Sequence, residues 1–242
     1  MEGMQIQGKH IKVAALLSIV LFLTGVYLYR SNYQELYRAL RAVIPLSFLL
    51  VLFMYKGRNV NWLSVTFLLL FGTANVVGIW YETNIYGHLY MILNTCAFLF
   101  LIGALSPKIS FKKLSLHIAG FSIVLVLVNA YLLFVFIELI RDYALGELHY
   151  FLVMMSSMSL VITGILSLLY NHRFSSKVSL LFTFFVFVLI FAEVFRVISF
   201  YDLAYENFSE HLSRALLLLG CSLLVHYELV DKKEQEALGN AA

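Results

Sequence analysis

KVSLLFTFFVFVLIFAEVFRVIS, residues 177–199, is the stretch that decides the class of fold. From Val178 to Ala192 no side chain carries a charge. A helix of about 20 such residues matches the roughly 30 Å hydrocarbon core of a bilayer. Glu193 and Arg196 then follow at i and i+3, on one helical face. Charge in so apolar a helix must turn inward, pair, or reach the interface.

Working outward from that stretch, seven further runs have the length and composition of membrane spans or nearly so: 12–29, 38–55, 61–80, 86–105, 115–138, 149–170 and 207–227. The whole chain of 242 residues is 62% hydrophobic and 13% charged, against about 25% charged in soluble domains. Its mean hydropathy is +0.88. A soluble domain of this length could not bury so much apolar surface. The expectation is all-α: a polytopic transmembrane bundle of eight helices. Short connections make neighbours in sequence antiparallel neighbours in space. Residues 1–230 read as a single transmembrane domain and 231–242 as a short polar cytoplasmic tail. The first run follows Lys9 and Lys12, as a signal peptide would. It is too long for one and ends at Tyr27-Leu-Tyr-Arg30 without a small-residue cleavage site, so it reads as a retained helix.

Lysine and arginine orient the bundle, because cytoplasmic loops hold an excess of both. Eleven of the 17 fall on one side, among them Lys9, Lys56, Lys108, Arg173 and Lys232. The other six are Arg30, Arg38, Arg41, Arg141, Arg196 and Arg214, on the other side or at the outer helix ends. This split predicts both termini in the cytoplasm and a multi-pass protein of the inner (plasma) membrane. Arg30, Arg38 and Arg41 run against the rule in the first outer loop.

Depth then sorts the intramembrane polar residues. Asn75, Asn94, Asn129, Ser156, Ser157, Glu193, Arg196, His211 and Arg214 all fall in the outer half, and the inner half reads as nearly pure hydrocarbon. Such placement predicts a polar cavity opening outward. His211, Arg214, Leu218 and Cys221 form one stripe of the last helix. Glu193 should therefore meet either Arg214 on that helix or its own neighbour Arg196. Such a pair could be purely structural, and Asn75 and Asn94 could be helix–helix glue.

Other chemistries lack their patterns. Cys96 and Cys221 lie in apolar runs, with no CxxC, and there is no HExxH; neither a metal nor a cofactor is expected. Nucleotide-binding and nucleic-acid-binding signatures are missing as well. Tyrosines and Trp80 crowd the outer helix ends as an interfacial belt.

Arg41-Ala-Val-Ile-Pro45-Leu-Ser, Phe71-Gly-Thr-Ala-Asn75 and Phe191-Ala-Glu193-Val-Phe carry a resemblance. They resemble the second, third and seventh helices of the YhhN-like membrane proteins, the lysoplasmalogenase family. The resemblance implies an eight-helix bundle that hydrolyses the vinyl ether bond of lysoplasmalogens. Ile44 stands where that pattern has lysine, Asn75 and Glu193 where it has aspartates, and Asn94 is the polar residue nearest its histidine.

Two functions compete, with a small-molecule transporter as a third. In the first, the outward cavity binds a membrane lipid, a lysolipid or another small amphiphile. In the second, the same cavity hydrolyses a lysolipid vinyl ether. Glu193 would then be the acid, Asn75 and Asn94 would orient substrate or water, and Arg196, Arg214 and His211 would bind the substrate. The residues favour binding over catalysis.

Overall fold

The computed structural model describes the backbone of residues 2–109, 116–201, 203 and 205–230. Side chains are described for these residues except 2–8, 58, 206 and most of 116–132. The chain forms α1 (Glu2–Arg30), α2 (Gln34–Lys56), α3 (Trp62–Val77), α4 (Asn84–Leu105), α5 (Leu116–Leu139), α6 (Glu147–Phe174), α7 (Lys177–Phe200) and α8 (Glu206–Leu229), with short 3-10 turns between several of them. No strand occurs among the described residues.

Among the described residues, seven helices are long and apolar enough to cross a membrane, which makes the bundle compatible with an integral membrane protein. α5 has 24 residues, but most of its side chains, Asn129 among them, lie outside the described set. Asp202 and the Glu206 side chain lie outside it too. Leu16, Leu23, Leu50, Met54, Phe184 and Phe191 face outward and exposed. Apolar surface on that scale would aggregate a soluble protein, and in a bilayer it meets acyl chains.

Local chemistry fixes the helix ends. Ser176 and Ser179 bond each other's backbone N–H groups, a capping box that opens α7. Asn61 caps α3 by accepting from the Leu63 N–H. Gly57 ends α2 with φ +57°, a conformation costly for a side chain with a Cβ. Pro45 lies inside α2 and is buried. It cannot donate to the carbonyl of Arg41, so the helix ladder lacks a rung at the residue that will prove central.

The core is aromatic. Phe67 stacks on Phe71 at 5.5 Å and meets Phe185 edge-on at 5.6 Å, joining α3 to α7. Small residues let the helices close up. A Cβ on Gly72 would stand 2.8 Å from Leu46 Cδ2 of α2, and one on Gly25 would stand 2.9 Å from Arg214 Nη1 of α8. α7 and α8 pack along most of their length, and α2 packs against α1, α3 and α8. The C-terminal ends of α1, α3 and α7 therefore gather with the N-terminal ends of α2, α4 and α8.

Candidate functional site: a polar cavity at one end of the bundle

The helix ends just described enclose a cavity of about 780 Å³. Its wall includes Arg38, Arg41, Arg196 and Arg214, with Tyr37 and Tyr90 beside them. Glu193 lies at the centre of a network beside that wall, 4% exposed. Arg41 Nη2 donates to Glu193 Oε1 at 2.9 Å, and Arg196 Nε donates to Oε2 at 2.9 Å. The Tyr90 hydroxyl reaches Oε2 at a long 3.5 Å. Arg41 spends its other nitrogens on the fold: Nε donates to Asn75 Oδ1 at 3.0 Å and Nη1 to Ser213 Oγ at 2.9 Å. Asn75 in turn donates to the Phe71 carbonyl, and Ser213 to that of Ala192. Four helices, α2, α3, α7 and α8, are thus tied through one guanidinium.

The expected contact between Glu193 and Arg196 is present, and the alternative with Arg214 is not. Arg41 takes that place. The first outer loop was the wrong home for Arg41, because Tyr37, Arg41, Ile44 and Phe48 form one buried stripe of α2. That i, i+4, i+7, i+11 spacing was visible in the sequence and marks a core face. Arg38, which also lies in α2, donates to Glu82 at 2.7 Å.

Arg214 has a different environment. It is 1% exposed, and its guanidinium carbon lies 3.5 Å from the centre of the Tyr37 ring. Nη2 donates to the Tyr37 carbonyl at 3.0 Å and stands 3.5 Å from Glu210. Nε and Nη1 have no hydrogen-bond partner among the described residues. Arg196 also lies over an aromatic face, 4.8 Å from the Tyr90 ring centre. In the same wall, Tyr81 and Tyr201 share a hydroxyl contact of 3.4 Å. Burial pushes the Tyr81 phenol well above its ordinary range, so it remains a neutral donor.

The remaining candidates do not all converge. Asn75 lines the cavity and reaches Glu193 only through Arg41. Asn94 is buried away from the cavity wall and donates to Ser156 of α6 at 3.1 Å. His211 packs edge-on against Tyr29 at 5.0 Å, outside the cavity wall. Among the described residues no three His, Cys, Asp or Glu side chains gather as metal ligands.

The opposite end of the bundle corrects one expectation. It is not nearly pure hydrocarbon, because Glu228 of α8 is buried there, 2% exposed. It accepts from Lys56 at 3.0 Å, Ser64 at 2.6 Å and Asn61 at 3.3 Å. Beside it His226 meets His10 of α1 at 3.1 Å. Glu228 directly follows the apolar run 207–227 in sequence, outside the stretch whose polar residues were sorted by depth.

No protein-family model, no curated protein and no solved structure matches this chain.

Proposed function

We propose that this protein spans the membrane with eight helices, both termini in the cytoplasm, and binds the polar head of a membrane lipid or small amphiphile in the cavity at its outer end. The observation that carries the reading is the cavity's composition. A space of about 780 Å³ at the end of an apolar bundle is lined by several arginines and by tyrosine rings. Such a wall suits a polar group whose apolar tail remains among lipids. The orientation rests on the 11-to-6 split of lysine and arginine. Of the three arginines that run against the rule, Arg41 is buried with Glu193 and Arg38 pairs with Glu82, which supports discounting these two as topology signals.

Binding is favoured over hydrolysis by the state of Glu193. A general acid needs an oxygen free to hold a proton and pass it to substrate. Both Glu193 oxygens are taken by guanidinium donors. Asn94 stands apart with Ser156, so the proposed catalytic set is not assembled. A diverged relative of the YhhN-like proteins that keeps the bundle and has lost the chemistry fits these residues.

The test uses purified protein in micelles containing lysoplasmalogen. The expected result is saturable lysolipid binding with no aldehyde released above protein-free micelles. Aldehyde release by the wild-type protein, abolished in Glu193→Gln, would overturn the reading.

A further inference from the structure

Donors and acceptors in the cavity wall do not balance. Arg41 is fully committed to Glu193, Asn75 and Ser213. Arg38 gives its terminal nitrogens to Glu82 and to the Ile79 carbonyl. Arg196 gives only Nε to Glu193, and its terminal nitrogens make no hydrogen bond among the described residues. Its side chain is 14% exposed and lines the cavity. Arg214 adds the unpartnered Nε and Nη1. Among the described residues the acids here are fewer than the arginines: Glu193 is already shared by two guanidiniums, Glu82 is taken by Arg38 and Glu210 stands beside Arg214, so Arg38, Arg41, Arg196 and Arg214 meet three carboxylates. A poorly compensated cation in a desolvated site is costly, and an incoming anion removes that cost. Guanidinium forks match the oxygens of phosphate and can bind them in pairs.

A positively charged head has the opposite problem. Quaternary ammonium groups are held over open aromatic faces. Here the Tyr37 face is covered by Arg214 and the Tyr90 face by Arg196. Tyr81 is packed edge-on by Tyr90, His149 and Phe200. Three tyrosines of the wall that could build a choline cage, Tyr37, Tyr81 and Tyr90, are thus already in use, and Tyr143 and Tyr201 pack on each other.

We infer that the cavity selects a phosphate ester carrying net negative charge over a zwitterionic one, and that Arg196 is the residue that reads the phosphate. This inference rests on the headgroup reading above. The free guanidinium edge of Arg196 gives its donors to the phosphate oxygens, while its Nε stays on Glu193. Arg214, held by the Tyr37 carbonyl and Glu210, adds positive charge to the same wall.

Binding of four probes to the detergent-purified full chain tests this: lysophosphatidic acid, lysophosphatidylcholine, glycerol 3-phosphate and inorganic phosphate. Lysophosphatidic acid should bind at least about tenfold more tightly than lysophosphatidylcholine, a difference of about 1.4 kcal/mol. Arg196→Gln should erase that preference, and Arg196→Lys should restore part of it. A thermal melt with an unchanged midpoint keeps a loss of preference distinct from unfolding, since Glu193 retains Arg41 in these variants. Should a variant melt early, the wild-type preference still decides. Equal affinity for the two lysolipids overturns the charge inference and leaves the headgroup reading standing. Failure of both lysolipids to bind overturns both. Glycerol 3-phosphate or inorganic phosphate binding as tightly as lysophosphatidic acid supports the anion inference and overturns the lipid part of the earlier reading.

Discussion

Glu193 and Arg41 meet across 152 positions of chain, and most of the polar chemistry of the cavity follows from that contact. Neither residue could be buried alone. Removing one partner of a buried ion pair typically costs about 3–5 kcal/mol, because the other charge is left uncompensated. Glu193→Gln strands two arginines, whereas Arg41→Met leaves Glu193 paired with Arg196. The first substitution should therefore lower the unfolding free energy in detergent more than the second. Equal losses, or no loss from Glu193→Gln, would show that the network is not a stabilising element. The sequence pointed to Glu193 and Arg196 because their helix is otherwise apolar, so any charge stands out. It pointed past Arg41 because a cation near a helix end reads as interfacial. Only the stripe through Tyr37, Ile44 and Phe48 distinguishes it. Asn94 read like Asn75, and only the packing of α4 on α6 separates the two.

At the scale of the helix, the spans were legible and their ends less so. Runs of apolar residues predict position to within a few residues, as with 177–199 against Lys177–Phe200. Helix ends depend on caps, which involve short local patterns. The capping box of Ser176 and Ser179 satisfies backbone donors at the start of α7, the helix that carries Glu193. Ser176→Ala should cost about 1 kcal/mol, the usual value of an N-cap. A melt in detergent would detect it, and cavity ligand affinity should remain unchanged, because Ser176 lies at the far end of α7. A loss of affinity without a loss of stability would mean that the two ends of the helix are coupled. At that far end Lys56, Asn61 and Ser64 close on Glu228 and link α2, α3 and α8. The sequence hid this cluster, since each member sits at a run's edge where polarity is ordinary.

As a whole, the molecule is a bundle whose two ends are chemically unlike. One end holds an open cavity into which Arg196 presents the terminal nitrogens that Glu193 leaves free. At the other, buried Glu228 is bonded to Lys56. Asn207 reports directly on the side of the membrane to which the cavity opens. This residue lines the cavity, is exposed, and contacts the Tyr29 hydroxyl at the rim. In a chain carrying Cys96→Ser, Cys221→Ala and Asn207→Cys, a membrane-impermeant maleimide is applied to intact cells and to inside-out vesicles. The predicted result is labelling from the outer face alone, slowed several-fold by saturating lysophosphatidic acid. Labelling from the cytoplasmic face, or labelling whose rate is indifferent to the lysolipid, would contradict the claim of an outward cavity that holds a lipid head.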